Sequence, residues 1–302
     1  MQDITLIDGG LGQEIYRKAG QPAHPMWSAK VMMDDPEVVK EVHREFMQAG
    51  AQVLTINTYT CTPTRLDRDG EKEWFEDLQI KAYDIAAKAR DSLGLSAGDV
   101  QIAACLPPLI GSYTADPRSF GELKEEYRQI VDIQASRSDL FIIETISVIR
   151  EAQAATEAAL ESGKPVLLSL TLSDEDPEKL RSGESIQDAL KALKDYNLQG
   201  LLFNCSFPET IAQGLNHLKD QPYPYGGYAN GFTSVEPLKP GGTVDALAAR
   251  KDLNADKYAE LVLQWIAQGA TIVGGCCEVG PSYIAELRDR IQAKGYTIKP
   301  LS

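Results

Sequence analysis

Short apolar runs alternate with amphipathic runs along the whole 302-residue chain, and this alternation limits the fold more than any other feature. Strands are expected at Ile4–Asp8, Val53–Thr60, Val100–Cys105, Leu140–Thr145, Pro165–Leu172, Gly200–Cys205, Tyr225–Ala229 and Thr271–Gly275, the seventh being weaker in pattern. Helices are expected at Pro36–Gln48, Lys72–Leu93, Gly121–Arg137, Ile149–Ser162, Ser185–Tyr196, Pro208–Lys219, Ala255–Gln268 and Ser282–Ala293. The strands are continuous apolar runs, the pattern of parallel strands covered on both faces. Eight strand–helix units in about 300 residues close most economically into a (β/α)8 barrel. An open doubly wound sheet is the alternative on alternation alone. No Gly-x-Gly-x-x-Gly follows the first strand, so the usual sign of a dinucleotide site is missing. The expectation is an α/β protein, a single-domain (β/α)8 TIM barrel over residues 1–302.

Charge narrows the partners. With 30 Lys and Arg against 44 Asp and Glu, the formal net charge is -14. Nucleic acid and anionic membrane surfaces are therefore not expected as partners, whereas small cationic substrates suit the field. The cysteines are Cys61, Cys105, Cys205, Cys276 and Cys277, an odd number without framework spacing. The N-terminal stretch has no signal-like pattern, and no segment approaches the ~18 apolar residues of a membrane span. A cytoplasmic protein with reduced thiols is expected.

In a barrel, residues at the C-terminal ends of the strands share one mouth. Here they are Asp8, Asn57, Glu144, Cys205, Asn230, Cys276 and Cys277. Adjacent side chains on a strand point to opposite faces, so Cys276 and Cys277 can share a ligand only where the backbone bends. Gly274 and Gly275 are expected to supply that freedom. With Cys205 they make three thiols at two strand ends, the donor set of an open, sulfur-rich zinc site. The alternative is that these thiols are buried small hydrophobes. Asp8 and Glu144 are better placed to hold an ammonium group than to act as a hydrolytic pair, although Asp8 also suits a turn-capping role. Trp27, in a loop after the first strand and before the helix at Pro36, offers an aromatic face for a methylated cation. The histidines are His24, His43 and His217, and none is placed as a base, which favours sulfur alkylation over hydrolysis by zinc-activated water.

These residues resemble the homocysteine S-methyltransferase family along nearly the whole chain. The landmarks are Asp8-Gly-Gly-Leu-Gly-Gln-Glu14, Trp27-Ser-Ala-Lys30, Pro36 to Gly50, Asn57-Thr-Tyr-Thr60, Glu144-Thr145, Asn204-Cys-Ser206 and Gly274-Gly-Cys-Cys277. The resemblance implies a zinc-dependent barrel that moves a methyl group onto homocysteine, giving methionine. It implies Cys205, Cys276 and Cys277 as zinc ligands, Asp8 and Glu144 as partners of the homocysteine amine, and the backbone at Gly9 and Gly10 as partner of its carboxylate. Trp27 and Asn57 join the substrate-binding set, and Asn230 stands where some members carry a transient fourth zinc ligand. The chain leaves no room for a cobalamin or folate domain, so a free small-molecule donor is expected. It looks closest to the short members that use S-methylmethionine, with S-adenosylmethionine as a lesser donor. Two positions depart from the pattern: Cys61 stands where betaine-using members tend to carry an aromatic residue, and Glu278 follows the paired cysteines where many carry arginine or glycine.

Two other readings follow from the same residues. One keeps the fold and zinc site but changes the donor, to a betaine-like one, or the thiol acceptor. The other is a non-catalytic zinc- or metabolite-binding barrel, which would gain if Cys61 or Cys105 closed the metal site as a fourth ligand. Cys105 is expected to be a packed thiol.

Overall fold

A computed structural model describes residues 3–238 and 242–301. Its strands are β1 (Asp3–Leu6), β2 (Val53–Thr55), β3 (Gln101–Leu106), β4 (Leu140–Ile146), β5 (Val166–Leu170), β6 (Gly200–Asn204), β7 (Tyr225–Ala229), β8 (Ile272–Gly275) and a short β9 (Thr297–Ile298). All pair in parallel, in the order β2 to β8, then β1, with β9 on the outer side of β1. The seam between β1 and β2 is closed just beyond β1. Ile7 bridges Val53 in parallel, Gln52 N–H donates to the Leu6 carbonyl at 2.7 Å, and Asp8 N–H donates to the Val53 carbonyl at 3.0 Å. The result is the expected barrel, not the open sheet.

The interior is filled by Ile7, Val53, Ala103, Leu140, Ile142, Leu167, Leu202, Tyr228 and Ile272, contributed by alternate positions of different strands. Cys276 packs against this cluster from one side and Leu301 partly covers it too. A second, larger apolar cluster lies between the strands and the surrounding helices. The helices are α1 (Leu11–Ala19), α2 (Ser28–Asp34), α3 (Pro36–Ala49), α4 (Pro63–Asp69), α5 (Phe75–Ser92), α6 (Phe120–Gln134), α7 (Ile149–Leu160), α8 (Ile186–Leu193), α9 (Pro208–Gly214), α10 (Ala255–Ala267) and α11 (Pro281–Ala293). Their starts carry ordinary signals. Ser119 and Glu122 form a capping box on α6, Ser185 and Asn254 cap α8 and α10, and proline opens α3, α4, α9 and α11.

Three expectations are corrected. The first strand does not run through Asp8 but ends at Leu6, leaving Ile7 in a single bridge. The second stops at Thr55, not Thr60, because Thr58 and Cys61 close tight turns and Thr62 then caps α4. The stretch between Trp27 and Pro36 is a helix, α2, rather than a loop. His43 is fully buried with neither ring nitrogen partnered, and burial pushes it down to about 4, so it stays neutral. Among the described residues no helix is long and apolar enough to cross a membrane.

Candidate metal and substrate site

Two strand ends bring the thiols together. Cys205 follows β6 with φ 53°, and Cys276 and Cys277 follow β8. Neither Gly274 nor Gly275 has the positive φ expected of the bend; the left-handed residue there is Glu278, at φ 67°. The glycines are required for space. A Cβ on Gly274 would lie 2.3 Å from Ile7 Cγ1, and one on Gly275 2.1 Å from Val279 Cγ1. The three Sγ atoms all lie within 4.8 Å of one another, with Cys205 and Cys276 at 2.9 Å. Three thiolates placed tetrahedrally on one ion at ~2.3 Å sit about 3.8 Å apart, so this donor set fits a metal after a small opening of the closest pair. Hydrogen bonds from Cys276 and Cys277 hold Cys205 well below the usual thiol range, while both donors are pushed up. Cys205 is thus the most readily ionised thiol of the three. Cys61 and Cys105 are not part of this group.

Glu144 reaches the mouth because β4 is irregular. Its register against β5 slips between Ile143 and Ile146, and Thr145 takes φ 62°. Asn204, just before Cys205, holds that kink: its Oδ1 accepts from Thr145 N–H and its Nδ2 donates to Thr145 Oγ1, each at 2.9 Å. Glu144 accepts from the buried Cys105 thiol at 3.0 Å, and burial pushes its carboxyl up to about 7. Asp8, 3% exposed, accepts from Thr55 N–H at 2.8 Å and from Thr55 Oγ1 at 3.3 Å. It thus ties β1 to β2 rather than capping its own turn. Burial, reinforced by the Glu144 charge, raises it well above the usual carboxylate range. Two neighbouring acids that burial makes reluctant to ionise suit a cation between them.

Gly9 and Gly10 lie against the cysteine corner. Gly10 spends its N–H on the Val279 carbonyl at 2.9 Å, so the expectation that both glycines offer a free backbone donor narrows to Gly9. Trp27, Asn57, Asp8, Glu144, Cys205, Cys276 and Cys277 all line one cavity. Trp27 is held at φ 50°, and Asn57 fixes the corner beside it by accepting from Ser28 Oγ at 2.6 Å and donating to the Ser28 carbonyl at 3.0 Å. Asn230 is not brought to the cavity lining; it is fully buried, with Oδ1 accepting from Phe232 N–H at 3.0 Å. Glu278 accepts from Gln13 Nε2 at 2.7 Å. Cys61 is a buried thiol, pushed up to about 12, and Tyr59 two residues earlier lines the cavity in its stead. None of the three histidines lines it.

Of the other cavity residues, Tyr113 carried no signal in the sequence, and Tyr59 stood there only inside the Asn57–Thr60 landmark. The Tyr113 hydroxyl lies 3.0 Å from Cys205 Sγ, in an irregular segment where no periodicity points anywhere. The Tyr59 ring meets Trp27 edge to face, with centroids 6.4 Å apart, and Arg65 lies over its face. Tyr228 was findable, since it alternates inward on β7 and donates to Ser169 Oγ at 2.9 Å below Glu144.

The model of the homocysteine S-methyltransferase family matches residues 5–291. The homocysteine S-methyltransferase of Escherichia coli (strain K12) is 30% identical, over 96% of this chain and 96% of its own length. A selenocysteine Se-methyltransferase of Brassica oleracea var. italica is 26% identical, over 96% of this chain and 89% of its own. Among solved structures, the metallated form of the homocysteine methyltransferase MmuM from Escherichia coli matches with a TM-score of 0.80 at 28% identity, covering 96% of both chains. Its apo form gives 0.73 at 27% identity, with the same coverage.

Proposed function

The chain belongs to the homocysteine S-methyltransferase family, and from that premise we propose that it transfers a methyl group from a small sulfonium donor to homocysteine. S-methylmethionine is the preferred donor and S-adenosylmethionine the lesser one. The sulfur of homocysteine gains the methyl group and becomes that of methionine; the donor sulfonium keeps the bonding pair and leaves as a neutral thioether. The observation that carries this reading is the meeting of Cys205, Cys276 and Cys277 within 4.8 Å in the cavity that Asp8 and Glu144 also line. Residues 1–302 act as one domain, in the cytoplasm, where the thiols stay reduced.

Cys205, Cys276 and Cys277 hold a zinc ion in this reading. Zinc bound there would favour the thiolate form of the incoming homocysteine sulfur, a strong nucleophile at neutral pH. Asp8 and Glu144 take the ammonium group, whose charge draws both carboxyls back to the ionised form. Gly9 offers its N–H to the carboxylate. Trp27, with Tyr59 at its edge, faces the sulfonium through cation–π attraction worth ~0.5–2 kcal/mol. Holding sulfur and methyl in line supplies much of the rate.

Zinc content and methionine formation, measured together with S-methylmethionine, S-adenosylmethionine and betaine side by side, test the reading. One zinc per chain and turnover with a sulfonium are expected. Bound zinc with no methionine from any donor would reject the reaction and keep the site. The likeness to a selenocysteine Se-methyltransferase favours a second reading, in which the acceptor is a selenol. Competition between homocysteine and selenocysteine for one donor separates the two.

A further inference from the structure

Helix α4 places Arg65 on the cavity wall although the residue is only 5% exposed. One Nη2–H donates to the Pro108 carbonyl at 2.8 Å, and the guanidinium lies 5.0 Å from the centroid of the Tyr59 ring. The Nε–H is buried without a partner. Among the described residues no carboxylate forms an ion pair with Arg65. Glu151 feels its charge but spends Oε1 on Leu109 N–H and the Tyr127 hydroxyl. Arg68, which lines the same cavity, is different: it forks onto both oxygens of Asp69 and donates to the Ile110 carbonyl. In a chain with 44 acidic residues against 30 basic ones, a buried arginine without an acid is an exception. Such a cation is costly unless an anion visits it.

We propose that Arg65 binds the carboxylate of the methyl donor and so restricts donors to onium compounds that also carry an anionic group. The proposal rests on the methyl-transfer reading above. Tyr59 touches both Trp27 and Arg65, so one row of side chains offers an aromatic face to the sulfonium and a guanidinium fork to the carboxylate. S-methylmethionine carries both charges on one short chain. Arginine suits this task because its planar fork matches a carboxylate and stays charged when buried. A donor whose carboxyl is neutral leaves Arg65 unpaired in the complex and binds less well.

The test compares S-methylmethionine with its carboxamide, which keeps the sulfonium and the ammonium, on the wild type, Arg65→Met and Arg65→Lys. Donor kcat/KM is read with homocysteine saturating, and the donor Kd by titration on the same proteins. The wild type is expected to prefer the free acid by about 10- to 100-fold, the range of a charge-assisted hydrogen bond. Arg65→Met should bring the ratio close to one without changing the homocysteine KM, and Arg65→Lys should keep part of it. A wild type indifferent to the amide overturns the proposal, as does an Arg65→Met protein that keeps the full ratio. So does one that loses acid and amide alike while Arg65→Lys behaves as wild type. Should Arg65→Met not fold, the wild-type and Arg65→Lys ratios still decide. Absence of methionine from every donor would instead overturn the methyl-transfer reading, and the acid-to-amide Kd ratio would then judge Arg65 alone.

Discussion

A Cβ at Gly10 would lie 2.5 Å from the Cys276 carbonyl oxygen and 3.0 Å from Cys277 Cα. The loop after β1 and the cysteine corner after β8 are thus in backbone contact, and the two thiols owe their position to a residue without a side chain. Gly10→Ala should push that corner outward, at a cost of about 1–3 kcal/mol for overpacking. Zinc retained after dialysis should fall, whereas Gly121→Ala, with nothing within 4 Å of the added methyl, should retain it. A second residue-scale effect concerns Glu151, fully buried, with Oε2 unpartnered and its carboxyl pushed up to about 7. The unfolded chain gives up this proton near the ordinary value of 4.5, the folded one only near 7. Its contribution therefore falls as pH rises from 4.5 to 7, by about 3 kcal/mol at about 1.4 per unit. Glu151→Gln should raise the melting temperature above pH 7 and leave it nearly unchanged below 4.5; equal effects at both ends would contradict the assignment. The thiols and acids were legible in the sequence because their chemistry is written in residue type and they end apolar runs. Arg65 and Tyr113 were not, because α4 and the Gly111–Asp116 stretch carry no period that says which way a side chain turns.

The kink in β4 and the corner after β6 are one device. Asn204 clamps Thr145 with two hydrogen bonds, and the residue before Thr145, Glu144, and the residue after Asn204, Cys205, face the same cavity. Asn204→Ala removes both bonds and leaves Thr145, held at φ 62°, without its brace. The expected cost is about 1–3 kcal/mol for the unsatisfied buried groups. Homocysteine KM should rise while the donor KM stays near its wild-type value, since Trp27 and Arg65 sit on other elements. Steady-state kinetics in both substrates checks this, and a rise confined to the donor would show that the clamp does not position Glu144. The element count was legible because most strands are unbroken apolar runs. The seventh was faint for a packing reason: a Cβ on Gly226 would lie 1.8 Å from the Ile272 carbonyl oxygen, and one on Gly227 2.8 Å from both Ile211 Cγ2 and the Phe203 carbonyl oxygen. Close approach of neighbouring backbones forbids the β-branched residues that would have marked the strand. Helices α1, α2 and α4, of seven to nine residues, escaped because each is set among glycine-, proline- or threonine-rich turns that read as loop.

At the scale of the molecule, the barrel is fastened differently at its two ends. At one, β9 lies along β1, Thr5 Oγ1 donates to the Lys299 carbonyl, and Leu301 exchanges hydrogen bonds with the Gln101 side chain. At the other, the fastening is chemical: Cys205 and Cys276 are 71 residues apart in sequence and meet across β7. A metal there crosslinks the ends of β6 and β8, so it should stabilise the fold as any ligand of the native state does. At a free concentration 1,000 times its Kd the gain is about 4 kcal/mol. Stripping the proposed zinc with a chelator should therefore lower the melting temperature and speed amide exchange first in Asn204–Phe207 and Gly275–Val279, leaving β9 and its partners protected. Adding back zinc should restore both. Cys276→Ala should melt near the stripped wild type and show no further drop with chelator, because its loss and the loss of the metal are the same event. If the chelator lowered both proteins equally, the stabilising metal would be held elsewhere, and the three thiols would be packing residues that happen to converge.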